Sequence, residues 1–476
     1  MLKLAAALLL TAILLAAQVD DTTRQLSRDI FQQLIEINTT DSAAGNNTTA
    51  AQAMAKRLLD AGYPAADVKI LIPDGRPSKG NMVARLHGPA GGTLKPILFI
   101  GHLDVVEARP EDWTTNPFQL VEKDGYFYGR GTEDMKSLDA MLMTTFIRFK
   151  KEGYKPSRDL ILALTSDEEG GTANGVDWLV KNHRDLIDAE FVLNPDLGDV
   201  DIDHGKAIAV EVAATEKLYA DFQLTVTNPG GHSSRPVPDN AIYHLADALG
   251  RLERTPFPFE LNAVTRNYFE HVAANETPQN AADMKAMLAN PPDLAAVARL
   301  SVDPRYNSFT HTTCVATRLN AGHANNALPQ TAQAIVNCRI LPGHSPEEIR
   351  QQLIQRFADP QVTVRYIDTR TEKVLDRAPD QPAPPPAPLR PEVMRPLERV
   401  ADAFWPGAPV VATMTTGASD GRYTSAGGMP TYGIGELAID VDDHREHGKD
   451  ERIRVAAFYQ AVDFFYRYMK AVSSLN

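Results

Sequence analysis

The chain has 476 residues, 48 of them basic and 61 acidic, for a formal net charge of −13. That length exceeds one ordinary hydrophobic core and predicts two domains of roughly 100–200 residues or a little more. The charge excludes binding to nucleic acid or to an anionic membrane surface by bulk attraction, and two cysteines, Cys314 and Cys338, exclude a thiolate-rich zinc site.

The N-terminus reads as an address. Lys3 precedes the apolar stretch Leu4 to Ala17, and polar Gln18, Asp20 and Asp21 follow. The stretch is shorter than the about 20 residues that span a bilayer. It predicts a signal peptide over residues 1–18 and export to the periplasm or beyond, with an uncleaved membrane anchor as the alternative. Ala17 is the candidate last residue of the leader, although Leu15 fits poorly two positions before it.

Leu26, Ile30, Leu34 and Ile37 share one helical face, and a second helix is predicted over about 49–61, closed by Gly62. Strands follow at 68–72 and 81–86. The apolar run Ile97-Leu98-Phe99-Ile100 predicts a strand buried on both faces, and it ends in His102-Leu103-Asp104. Residues two apart on a strand point the same way. One ring nitrogen of His102 can therefore bind a metal while the other donates to Asp104. A hairpin over 118–129 turns at Asp124-Gly125 and delivers Asp134 to the first turn of a helix bearing Met135, Leu138, Leu142, Thr145 and Phe149 on one face. There Asp134 can be a ligand or a plain cap. A further strand, Leu160 to Leu164, runs into Asp167-Glu168-Glu169, and Phe191 to Leu193 runs into Asn194-Pro195-Asp196. Three apolar strands thus end in candidate ligands. In a parallel sheet such ends lie along one edge, and burying so many acids there without a cation is costly.

From about Lys217 the pattern changes. Phe222 to Thr227 alternates and leads to Gly231-His232-Ser233. A helix is predicted over 241–252, residues 255–305 read as an insertion of helical fragments, and another helix spans 347–357. Cys314 and Cys338 lie in strand-like segments that can be neighbours in one sheet, leaving a disulfide and two buried thiols both open. These features predict a smaller α+β domain inserted into the first. The stretch 378–391 holds seven prolines and reads as an exposed linker without regular structure. A glycine-bearing loop follows at 415–422, then His444 to Ile453, and a last helix with Ile453, Ala457, Ala461, Phe464 and Tyr468 on one face.

In this order, GHLD at 101–104, GRGTEDMK at 129–136, TSDEEGG at 165–171, NPD at 194–196, GGHSS at 230–234, NNALP at 325–329 and HGKDERI at 447–453 resemble the M20 metallopeptidases, most of all their carboxypeptidase S-like branch. The resemblance implies an α/β fold: a zinc-peptidase-like mixed sheet with helices on both faces, plus an inserted α+β lid and dimerisation domain. The implied limits are a signal peptide at 1–18, a catalytic domain at 19–216 and 369–476, and a lid at 217–368.

It further implies two divalent ions, zinc above all. His102 and Asp196 would hold one, Glu169 and His447 the other, and Asp134 would bridge both. Asp104 would orient His102 and Glu168 would be the general base, while His444 is the rival to His447. His232 resembles the lid histidine that steadies the oxyanion, often from a partner subunit, and Asn326, Arg339 and Arg422 resemble substrate-holding positions. The implied activity is removal of C-terminal residues or cleavage of small peptides. The alternative is N-acyl-amino-acid hydrolysis by the same dizinc chemistry, and the lid leaves room for a homodimer. A noncatalytic peptide-binding protein is the rival from another class. It is disfavoured because Glu168 and all five implied ligands are present.

Overall fold

The computed structural model describes residues 19–369 and 371–474, so the leader expected at 1–18 lies outside the described residues. The chain divides into two compact units. One comprises Met1–Ala214, Ala387–Ala412 and Ser419–Asn476, the other Thr215–Pro386 and Thr413–Ala418.

The first unit opens with α1 (Asp21–Glu36) and α2 (Asn47–Asp60). The Asp20 carboxylate caps α1 by accepting the Thr23 N–H. The face α1 buries is Thr23, Ser27, Ile30, Phe31, Leu34 and Ile35. It differs from the expected Leu26–Ile37 stripe: Leu26 is only half-buried, and Ile37 lies beyond the helix as its extended C-cap. Next come β1 (Val68–Leu71), β2 (Asn81–Leu86), β3 (Ile97–His102), the hairpin β4 (Val121–Lys123) and β5 (Tyr126–Tyr128), α3 (Lys136–Lys151) and β6 (Leu160–Thr165). Then follow α4 (Gly175–Asn182), α5 (Arg184–Ile187), β7 (Phe191–Asn194), β8 (Val200–Asp203) and β9 (Lys206–Glu216).

The second unit contributes β10 (Leu218–Thr227), β11 (Gly231–His232), α6 (Ala241–Arg254), α7 (Ala263–Val272), α8 (Pro278–Met287), α9 (Leu294–Leu300) and α10 (Pro304–Thr310). It continues with β12 (Thr313–Ala321), β13 (Ala327–Leu328), β14 (Thr331–Ile340), α11 (Pro346–Phe357), β15 (Thr363–Asp368) and β16 (Lys373–Leu375). The chain closes with α12 (Pro391–Phe404), β17 (Val410–Thr415), α13 (Gly421–Ala426), β18 (Thr431–Gly433), β19 (Ala438–Asp440), β20 (Arg452–Arg454) and α14 (Val455–Val472).

The main sheet runs β1-β2-β6-β3-β7-β18-β9-β8-β19, with β17 on β9. It is mixed. β3 is parallel to β6 and β7, β18 is parallel to β7, and β2 is antiparallel to β6. Every residue of β3, β6 and β7 is buried, as continuous apolar runs require. Leu98, Ile100, Ile161, Ala163 and Val192 pack with Val176 and Leu179 of α4 and Ile187 of α5. On the alternate positions Phe99 meets Phe146 of α3 edge-on, with ring centroids 5.9 Å apart. Helices therefore cover both faces. The parallel neighbours β6, β3 and β7 run out along one edge, at Thr165, His102 and Asn194.

The sheet of the second unit runs β12-β14-β10-β15-β16. Ala220, Phe222, Leu224 and Val226 alternate inward and join Ala334 and Val336 of β14, Leu245 of α6 and Leu353 of α11 in one core. Cys314 and Cys338 face each other in register and form a disulfide.

Two further expectations change. The proline-rich stretch has no regular element but is not simply exposed: Ala378, Ala383 and Ala387 are buried. Ala378 N–H donates to the Glu347 carboxylate at 2.8 Å, and Ala383 N–H to the His344 carbonyl at 3.1 Å. Ile453 is not on the last helix. Arg452, Ile453 and Arg454 pair with Tyr128, Phe127 and Tyr126 of β5, and α14 begins one residue later.

Candidate metal centre

His102 is the last residue of β3 and is 2% exposed. Its Nδ1 lies 3.0 Å from the main-chain carbonyl of Asp104. A carbonyl can only accept, so this contact places the proton on Nδ1 and leaves Nε2 with a lone pair. That Nε2 lies 3.0 Å from Asp134 Oδ1 and 3.4 Å from Asp196 Oδ1. The Asp104 carboxylate, expected to orient the ring, is 3.8 Å from Nδ1. It accepts instead from the main-chain N–H groups of Glu168, at 3.1 Å, and Glu169, at 2.9 Å. The tautomer-fixing contact belongs to the main chain of Asp104, and its side chain holds the loop that carries the two glutamates.

Asp134 precedes α3, and the Asp134–Met135 peptide is cis. Its second oxygen, Oδ2, is 3.1 Å from His447 Nε2, which is also 2.9 Å from Glu169 Oε2. The single carboxylate of Asp134 thus turns one oxygen to each of two triads, His102–Asp134–Asp196 and Asp134–Glu169–His447. Donor atoms within each triad lie within 4.8 Å of one another. All five residues that the motifs suggested as ligands are brought together. His444, the rival to His447, is elsewhere: its Nδ1 is 3.3 Å from Glu133 Oε1.

The electrostatics are those of a site built for positive charge. Burial alone would push Asp134 up, but the imidazoles of His102 and His447 beside it outweigh that and hold the carboxyl well below its usual range. Burial drives Glu169 up to about 7 despite His447. It drives Glu168 well above the ordinary range, with Asp196, Asp420 and Glu169 adding repulsion and His102 opposing. The hydrogen bonds to Asp134 and Glu169 lift His447 to about 10. His102 Nε2 and Asp134 Oδ1 are both buried without a satisfying hydrogen bond. Histidine nitrogen and carboxylate oxygen at these separations are the donor set of borderline divalent ions, zinc among them. The residues present fit a pair of cations bridged by Asp134.

Sequence reading missed the residues that hold these candidate ligands in place. Buried Glu451 accepts the N–H groups of Gly131 at 3.2 Å, Glu133 at 2.7 Å and Asp134 at 3.1 Å, and pairs with buried Arg130 at 2.5 Å. Arg130 also donates to the carbonyl of His447 at 3.3 Å. Asp420 accepts from Asn174 at 2.6 Å and from Thr165 Oγ1 at 3.3 Å, fixing the far end of the glutamate loop. Arg130 and Glu451 lie inside recognised motifs, but nothing in the sequence says that they meet.

Of the substrate candidates, Arg422 lies in the first turn of α13, donates to the Tyr423 hydroxyl at 3.0 Å and is an electrostatic neighbour of Asp420. The other three belong to the second unit. Exposed His232 pairs with Ala327 across the β11–β13 ladder, and Ser233 N–H donates to the Asn326 carbonyl, so His232 and Asn326 are neighbours. Arg339 sits on the sheet face away from the core, its guanidinium 4.7 Å above the Tyr219 ring.

Comparison with known proteins bears on this arrangement. The profile of the peptidase family M20/M25/M40 matches residues 98–471. The chain is 30% identical to the N-fatty-acyl-amino acid synthase/hydrolase PM20D1 of Xenopus tropicalis, over 78% of this chain and 71% of that protein. It is likewise 30% identical to probable carboxypeptidase S-like 2 of Dictyostelium discoideum, over 79% and 72%. A crystal structure of an M20 family metallo-carboxypeptidase from Sulfolobus solfataricus superposes with a TM-score of 0.67 at 14% identity, covering 96% of this chain and all of that one.

Proposed function

Since the chain belongs to the peptidase family M20/M25/M40, we propose that it cleaves amide bonds whose departing amine is an amino acid with a free carboxylate, as an exopeptidase acting on the C-terminal residue of small peptides. The observation that carries this reading is the Asp134 carboxylate shared between two nitrogen-and-oxygen triads. His102 and Asp196 would hold one zinc ion and Glu169 and His447 the other. When bound, two such ions lower the pKa of a water between them and polarise the scissile carbonyl.

The chain's own residues do the rest. Glu168 takes the proton of the attacking water and returns it to the amide nitrogen as the C–N bond breaks. Its burial suits this double task, because a carboxyl raised above its usual range holds a proton long enough to deliver it. Asp104 keeps Glu168 and Glu169 in place through their main-chain N–H groups. Arg422 would receive the terminal carboxylate, since a guanidinium fork matches its two oxygens. His232 would donate to the oxyanion and Asn326 and Arg339 would hold substrate, as in the lids of the family, where a homodimer can supply the histidine.

The second reading, hydrolysis of N-acyl amino acids, is favoured by relatives named N-fatty-acyl-amino acid synthase/hydrolase in frog and human. Both readings share the departing amino acid and differ in the acyl side. Zinc-loaded protein assayed against dipeptides and N-acyl amino acids of increasing chain length separates them. Faster turnover of dipeptides supports the first, and preference for long acyl chains supports the second. We further propose that the protein works outside the cytoplasm. The apolar leader at residues 1–18 and the Cys314–Cys338 disulfide, a bond that persists in oxidising compartments, both support this.

A further inference from the structure

We propose that Glu133 is a positioning residue for the second cation, the one the Proposed function assigns to Glu169 and His447, and that it acts by clamping the loop that carries His447. The inference rests on that reading. Glu133 is next to the bridging Asp134 but turns the other way and is 7% exposed. Its Oε2 accepts the main-chain N–H of Arg445 at 2.8 Å, and its Oε1 lies 3.3 Å from His444 Nδ1. One carboxylate therefore grips two consecutive residues of the loop just ahead of His447. Its own N–H and that of Asp134 both donate to Glu451 Oε1, at 2.7 and 3.1 Å. The segment bearing the bridging ligand and the segment bearing His447 are thus fastened from both sides: Glu133 reaches forward to 444–445, and Glu451 reaches back to 133–134.

The loop needs such a clamp. His447 has φ +60, a left-handed conformation that a residue with a Cβ adopts only when its surroundings impose it. Among the contacts that impose it are the Arg130 guanidinium on its carbonyl and the Gly448 N–H on the Arg445 carbonyl, at 2.9 Å. The turn is thus anchored through Arg445, whose N–H is held by Glu133. Loss of the Glu133 carboxylate frees 444–445 and lets the imidazole of His447 drift from Asp134 and Glu169. His102 meets Asp134 through the other carboxylate oxygen, Oδ1, and lies against Asp196, so that triad keeps its geometry.

The test uses the full-length protein. Affinities for the two zinc ions are measured by competition with a chromophoric chelator for wild type, Glu133→Ala, Glu133→Gln and Glu446→Gln, together with kcat and KM. Partners that orient ligands typically change metal affinity about 10- to 100-fold. Glu133→Ala is expected to weaken one of the two ions by that factor, leave the other unchanged, and lower kcat at limiting zinc with KM unchanged. Excess zinc restores kcat. Glu133→Gln keeps an acceptor for the Arg445 N–H and is expected to fall between, while Glu446→Gln matches wild type. Equal zinc affinities in wild type and Glu133→Ala, whatever happens to its melting temperature, would overturn the inference. So would a third ion in wild type that Glu133→Gln and Glu446→Gln both lose, because Glu133, His444 and Glu446 would then be ligands themselves. Wild type that binds no paired ions would instead overturn the Proposed function on which the inference stands.

Discussion

Glu168 and Glu169 are adjacent in sequence and differ in surroundings. His447 Nε2 meets Glu169 at 2.9 Å, whereas Glu168 has charged neighbours, including His102 and Asp196, but among the described residues no imidazole nitrogen within bonding distance. Replacing the carboxylate of Glu168 by an amide is therefore expected to lower turnover about 100- to 10,000-fold, the usual share of general acid–base catalysis. Both cations should stay bound, and elemental analysis of Glu168→Gln alongside its kcat checks both halves. Proton linkage gives a second expectation. In the cation-free protein the hydrogen bonds to Asp134 and Glu169 lift His447 to about 10, so it is protonated at pH 7. A cation needs its nitrogen neutral. Loading the site at pH 7 should therefore expel at least one proton, and metal affinity should rise with pH. Calorimetry in buffers of different ionisation enthalpy counts it, and no proton released would contradict the assignment of His447. His102, Glu169 and Asp196 were legible as candidates because each ends or follows an apolar strand, whereas Asp134, which precedes its helix, and His447, which lies in a turn, were set apart only by the motifs around them. The position of the Asp104 carboxylate was not legible, because which oxygen of a residue meets its neighbour depends on a main-chain turn that residue types do not specify.

At the level of elements, the parallel strands β6, β3 and β7 were legible as continuous apolar runs, and their shared edge explains why His102, the Glu168–Glu169 loop and Asp196 converge. Ile453 was not. A three-residue strand is too short to show a period of two, and its apolar residue falls in phase with the helix behind it. The proline-rich stretch misled in another way, since its composition cannot reveal what it docks on. Glu347 of α11 is its anchor: the carboxylate accepts from Arg350 at 2.8 Å, from Gln351 at 2.8 Å and from Ala378 N–H at 2.8 Å. The Arg350 hydrogen bonds in particular hold the Glu347 carboxyl down to about 2, against 4.5 for the free group. A carboxyl depressed in the folded state stabilises above its unfolded value and loses that contribution as pH falls from about 4.5 through 2. Glu347→Gln should cost about 1 kcal/mol at pH 7, allowing for solvent screening. It should also flatten the acid limb of the stability curve in that window, as read by urea unfolding between pH 2 and 7. An unchanged acid limb would remove Glu347 from that role.

On the scale of the whole molecule, the chain builds one unit from three separated segments and the other from two. The entry into the second unit near Lys217 was legible as a change from continuous to alternating apolar pattern. The assignment of Thr413–Ala418 to it was not, because six residues carry no pattern of their own. The second unit is cross-linked by Cys314–Cys338, which closes a loop with a sequence separation of 24. Reduction, or Cys314→Ser with Cys338→Ser, should lower its stability by about 3 kcal/mol, measured as a drop in the denaturant midpoint; an unchanged midpoint would show that the bond adds nothing. Cations held only by the folded first unit should raise its melting temperature, and chelation should reverse this.

The central claim is that Asp134 bridges two cations. Anomalous diffraction at the zinc edge from crystals of zinc-loaded protein tests it most directly. Two peaks are predicted, one bounded by His102, Asp134 and Asp196 and the other by Asp134, Glu169 and His447. A single peak, or none within bonding distance of Asp134, would contradict it.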